Sequence, residues 1–103
     1  MKVECIHKID SSEPDKNGMY EYYYEYDIYT FSYQDQVLVA RSYIDDPQEA
    51  HFLSIEKGGE NLLLCKNDLQ CELATQAKSY LADLGKSELN WLSGEGDGYT
   101  KFP

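Results

Sequence analysis

The sequence predicts an α+β fold: an antiparallel β-sheet of four to six strands, mostly a meander, with one main α-helix packed on one face. Three observations carry this expectation. Up to Cys65 the chain alternates polar and apolar residues between clusters of turn formers, the two-residue period of pleated strands. One later segment instead repeats its apolar residues at helical spacing. With 103 residues there is length for one hydrophobic core, so all elements belong to a single domain spanning 1–103.

The elements follow in order. Met1, Val3, Cys5, His7 and Ile9 alternate with Lys2, Glu4 and Lys8, which predicts a half-buried first strand with Ile6 as the apolar exception on its outer face. Ser11 to Gly18 is rich in turn formers and ends in Asn17-Gly18, so it predicts a loose hairpin connection. Between Met19 and Tyr33 lie seven of the ten tyrosines, a composition that favours a long strand. Tyr20, Tyr22, Tyr24, Tyr26 and Ile28 share one face. The other reads Glu21, Tyr23, Glu25 and Asp27 before turning apolar at Tyr29, Phe31 and Tyr33. That change of apolar phase predicts a β-bulge or strong bend at Asp27 to Tyr29, unless both faces are covered there.

Gln34-Asp35-Gln36 predicts a tight turn and Val37 to Ile44 a third strand pairing back on the tyrosine strand. Asp46-Pro47-Gln48-Glu49 has the residues of a helix start, with Asp46 as N-cap, and equally those of a type I turn. His51, Leu53 and Ile55 predict the inward face of a fourth strand with Phe52 exceptional, and Leu62 to Cys65 a short fifth one. Asn67 or Asp68 is positioned to cap a helix of about 69 to 84 with the apolar stripe Leu69, Leu73, Ala77, Tyr80, Leu81 and Leu84, closed by Gly85. Glu88 to Leu92 predicts a last strand or packed segment, and Gly94 to Gly98 a solvated loop.

Composition narrows the function. Nineteen acidic residues against nine basic ones give a formal net charge of -10, a field that repels nucleic acid phosphates and anionic membrane surfaces and attracts a basic protein. Charge interrupts every apolar run of Met1 to Lys8, leaving neither a signal-peptide core nor a spanning segment. The three cysteines are odd in number and form no C-x-x-C pair, which predicts free buried thiols in a reducing cytoplasm.

Catalytic signatures are missing. His7 and His51 are read as hydrogen-bonded structural residues, the serines lack a nucleophile-elbow setting, and the histidines and cysteines lack the close ligand pairs of a zinc motif. Gly94 to Gly98 lacks the Lys-Ser/Thr ending of a phosphate loop and the oxygen ligands of a calcium loop. No cofactor and no metal are expected.

These readings converge on a non-enzymatic acidic binding protein that occludes a basic protein partner, of the toxin- or nuclease-neutralising immunity or inhibitor kind. Nucleic-acid mimicry by spaced carboxylates is a variant. The expected partner-binding residues are Glu21, Tyr23, Glu25 and Asp27 on the tyrosine strand, with Asp45, Asp46 and Glu49 beyond the third strand. The competing expectation is a small-molecule or carbohydrate-binding module, or a weak enzyme, that uses a sheet face lined by Tyr22, Tyr24, Tyr26 and Trp91.

Overall fold

A computed structural model describes residues 1–93 and 98–102. Among these residues seven strands, β1 (Lys2–Ser11), β2 (Tyr23–Tyr33), β3 (Gln36–Tyr43), β4 (Glu49–Lys57), β5 (Glu60–Leu62), β6 (Glu88–Leu92) and β7 (Tyr99–Lys101), form one sheet. The order is β1-β2-β3-β4-β6-β7, with β5 also paired to β4. The helix α1 (Glu72–Asp83), preceded by a short 3-10 helix (Lys66–Gln70), packs against β2 and β3. Among the described residues no helix is long and apolar enough to cross a membrane.

The sheet is a meander through β4, as the spacing predicts, and then departs from an all-antiparallel plan. The segment from β5 through α1 is a crossover, and its return beside β4 makes β6 run parallel to it, Glu49 opposite Glu88 and Phe52 opposite Trp91. Strand β7 was not foreseen. Residues 94–97 of the glycine loop lie outside the described residues.

The core forms where α1 lies over the sheet. Tyr29, Phe31, Leu38, Ala40, Phe52, Ile55, Leu89 and Trp91 come from the strands, and Leu73, Ala74, Ala77 and Leu81 from the helix. Only central strands are covered. The edge strand β1 is therefore exposed along nearly its whole length instead of half-buried, with Val3 and Ser11 its only partly covered residues.

No bulge occurs in β2. Its register is unbroken against both neighbours, from Lys2 opposite Ser32 to Ser11 opposite Tyr23 on one side and from Tyr26 opposite Tyr43 to Tyr33 opposite Gln36 on the other. The apolar phase changes because the strand outruns the helix: Tyr29 and Phe31 lie under α1, while Tyr23, Glu25 and Asp27 continue the same face beyond it. The bulge sits in β4 instead. Val39 pairs with Ser54 and Ala40 with Phe52, leaving Leu53 as the extra residue. It turns both Phe52 and Ile55 into the core, which explains why Phe52 broke the alternation.

Helix α1 begins three residues after the expected start. Asp68 caps the 3-10 helix, its Oδ2 accepting the Cys65 N–H at 2.8 Å while Oδ1 pairs with Lys57. The N-cap of α1 is Cys71, whose Sγ accepts the Ala74 N–H at 3.4 Å. At the other end Gly85, with φ +86°, allows the Gly85 N–H to reach the Ala82 carbonyl and the Lys86 N–H the Leu81 carbonyl, both at 2.9 Å. That reversal leaves Leu84, expected in the buried stripe, exposed. Asp46 closes a turn, the Glu49 N–H donating to its carbonyl at 3.1 Å, and β4 begins at once, so no helix starts there. The short strand expected at Leu62 to Cys65 lies earlier, pairing as a hairpin through Gly58-Gly59. All three thiols are free, but Cys5 and Cys65 are exposed and Cys71, packed against the core at the start of α1, is only half-buried.

Candidate functional site

The expected binding residues fall into two groups at one end of the sheet. Because β1 and β2 run past the helix, their outer halves and the connecting residues 12–22 project as an arm. Tyr20, Tyr22, Tyr23 and Tyr24 are each 46–51% exposed on it. Tyr20 and Tyr23 meet on the helix-side face with ring centroids 5.4 Å apart, while Tyr22 and Tyr24 stack at 6.1 Å on the opposite face. Aromatic surface thus lies on both sides of the arm.

Glu25 and Asp27 do not stand free on that arm. The His7 ring, brought between them by the β1–β2 register, lies 2.8 Å from Glu25 Oε2 through Nε2 and 2.8 Å from Asp27 Oδ1 through Nδ1. Two carboxylates on two ring nitrogens are served best by the imidazolium, which donates from both. The hydrogen bond to Asp27 lifts the His7 pKa above its ordinary value, a smaller opposing effect of desolvation lowers it, and the bond to Glu25 lifts it again. Tyr23 completes the group by donating its hydroxyl to Glu25 Oε1 at 3.3 Å. Sequence reading misplaced both histidines: the parity of His7 was inward, but that face is uncovered here, and His51, also read as inward, lies on the open face because the β4 bulge turns Phe52 into the core instead. Glu21 lies just before β2, exposed, its backbone N–H donating to Ser12 Oγ at 2.8 Å.

The second group sits on the β3–β4 turn, which adjoins the base of the arm through the Ile44 N–H donating to the Glu25 carbonyl at 3.0 Å. Asp45 is exposed on this turn. Asp46 and Glu49 converge with Glu88 of β6, their carboxylate oxygens within 4.8 Å of one another. Glu49 Oε1 also lies 2.9 Å from His51 Nε2 and accepts from Asn90 Nδ2 at 3.2 Å. Sharing a hydrogen bond with Asp46 pushes the Glu49 carboxyl up first, with burial and the charges of Asp46 and Glu88 adding to it. A cleft of about 300 Å³ opens beside it, lined in part by Glu49, Glu88, Asn90 and Lys101.

The open face of the sheet, opposite α1, carries a connected aromatic row that the sequence only partly suggested. Tyr22 and Tyr24 were expected there and are present. From Tyr24 the row continues to Tyr43 at 6.0 Å, to His51 at 6.3 Å and to Tyr99 at 4.6 Å. Arg41 lies over Tyr43 at 4.8 Å and Tyr26 at 5.7 Å and donates to the Tyr99 hydroxyl at 2.7 Å. Arg41 Nε and His51 Nδ1, on directly paired strand positions, are buried with no hydrogen-bond partner among the described residues. Trp91 does not belong to this face. The parallel pairing of β6 turns it into the core, where it is 8% exposed. Comparison with protein-family models, with curated proteins and with solved structures gives no match, so this geometry is what there is to read function from.

Proposed function

We propose that this protein is a non-catalytic acidic binding protein that occludes a basic protein partner, as an immunity or inhibitor protein does when it neutralises a toxin or nuclease. One observation carries the reading: the arm presents four half-exposed tyrosines on two faces beside Glu21, Glu25 and Asp27, with Asp45 and Asp46 on the turn that adjoins its base. Tyrosines supply large contact area at small conformational cost, and the chain's net charge of -10 steers a cationic surface toward them. An arm aromatic on both faces suits insertion into a basic cleft, where it blocks whatever that cleft would otherwise bind.

The test begins with affinity capture from the native host and mass spectrometry, followed by binding kinetics on the captured protein. The expected partner is basic. Glu21→Lys combined with Asp45→Lys, both outside the His7 ion-pair group, slows association and flattens its salt dependence. Tyr23→Ala chiefly speeds dissociation. Capture of no basic protein, or kinetics indifferent to both changes, rejects the reading.

A second reading, a small polar ligand on the open face, is favoured by Arg41 Nε and His51 Nδ1, buried at the aromatic row with no hydrogen-bond partner among the described residues. Chemical-shift changes confined to Arg41, His51 and Tyr99 on titration with a panel of sugars and small carboxylic acids would support it, and a panel without effect counts against it.

A further inference from the structure

We infer that β1 is a self-complementary edge through which two copies of this chain join, antiparallel, into one continuous sheet. Among the described residues β1 pairs with β2 on one side and with nothing on the other. Exposed edges are commonly blunted by shortness, proline or a bulge. This one is ten residues long, contains no proline and holds an unbroken register. It does carry lysines, another blunting device, and what they would face decides the matter.

In an antiparallel ladder only alternate residues of an edge direct their N–H and C=O outward, so residues opposite each other across a twofold axis must both be odd-numbered or both even-numbered. That leaves a short set of registers, each centred on one residue. Centred on Ile6, with the second residue of each pair on the other copy, Lys2 lies opposite Asp10, Glu4 opposite Lys8, Val3 opposite Ile9, Cys5 opposite His7, and Ile6 opposite its own counterpart. Every charged residue on the open-face side of the strand meets its opposite, and every aliphatic one meets an aliphatic one.

Neighbouring registers fail. Centring on Cys5 sets Lys2 against Lys8 and Glu4 against Ile6, and centring on His7 sets Glu4 against Asp10 and Ile6 against Lys8. Centring on Glu4 or Lys8 opposes that charge to itself. Apart from His7, which Glu25 and Asp27 of β2 hold between them, the strand is locally neutral, Lys2 and Lys8 balancing Glu4 and Asp10, within a chain of net charge -10. Pairing covers Ile6 and Ile9, which are 52% and 57% exposed. Because opposite residues share a face, both helices lie on one side of the joined sheet and both aromatic rows on the other, and the arm tips at residues 12–22 point away from each other. The partner surface proposed above therefore stays accessible, and the two proposals stand on separate observations.

Sedimentation equilibrium of the full chain tests it, with circular dichroism confirming that each variant is folded. The expected result is a concentration-dependent dimer. Lys8→Glu reverses two cross-strand charge pairs and raises the dimer dissociation constant roughly tenfold or more, and adding Glu4→Lys to it restores the native value. In a Cys5→Ser, Cys65→Ser background, Ile6→Cys forms an interchain disulfide on oxidation, whereas Glu4→Cys, several residues from its counterpart, does not. A chain that stays monomeric at its solubility limit, a dimer indifferent to Lys8→Glu, or disulfides formed equally at both positions overturns the inference.

Discussion

The two histidines of this chain sit in opposite electrostatic settings, and their protonation reports on both regions of the site. His7 is held by Asp27 and Glu25, so the folded state binds its proton more tightly than the unfolded chain does. Its stabilisation is present below the unfolded value of about 6.5 and is lost as pH rises through the higher folded value. His51 is lowered, first by burial and then by the Arg41 charge, against a smaller rise from Asp46. Its folded state binds the proton less tightly, so stability falls as pH drops from about 6.5 through the lower folded value. A two-dimensional NMR titration should therefore place the two imidazoles on opposite sides of the ordinary midpoint, and Asp27→Asn should bring only His7 back toward it. Coincident midpoints would remove the ion-pair group from the arm. At the core boundary, burial, with the neighbouring Cys5 and Asp27, pushes the Tyr29 hydroxyl up to about 12, which keeps that phenol neutral under the core.

Among the elements, α1 carries the clearest energetic contrast. Leu73 and Leu81 are 1% and 0% exposed against the sheet, whereas Leu84, the C-cap just before the glycine reversal, is 49% exposed. Leu73→Ala and Leu81→Ala should each cost about 2–5 kcal/mol, and Leu84→Ala within about 0.5 kcal/mol of nothing, by chemical denaturation. Equal losses at all three would mean that the helix does not end at Gly85. The 3-10 helix depends on Asp68. Burial raises its carboxyl, but hydrogen bonds from Lys57 and Cys65 outweigh this and hold it below the usual range. Asp68→Ala, which leaves the Cys65 N–H without its acceptor, should cost about 1–3 kcal/mol.

The whole molecule is elongated, 49 × 29 × 24 Å, with a radius of gyration of 14.9 Å against about 13 Å for a compact chain near 100 residues. The arm accounts for this shape, since one twelve-residue helix cannot cover a sheet whose longest strand has eleven residues. Local stability should follow the same division. Amide hydrogen exchange is expected to be fastest at residues 12–22, slower at Tyr23 to Asp27, and slowest at Tyr29 to Phe31 under the helix. Protection at residues 12–22 as strong as at Tyr29 to Phe31 would show that the arm is covered in solution by something other than the edge pairing of β1, which leaves its tip free.

Much of this was written in local pattern. The two-residue alternation marked β1 to β4, the three-to-four spacing marked α1, and Gly85 marked its end, because each depends on side chains within a turn or a few strand positions of one another. The tyrosine content and acidity of the β2 arm were equally legible. What no local pattern contains is which stretch of a strand another element covers. The reach of α1 decided that Tyr29 is core while Tyr23 and Asp27, on the same face, are not, and so the phase change in β2 needed no bulge. The parallel return of β6 decided that Trp91 is buried and that Glu88 joins Asp46 and Glu49. The pairing of β1 with β2 put His7 between two carboxylates eighteen and twenty residues away in sequence, where distance along the chain says nothing about distance in space.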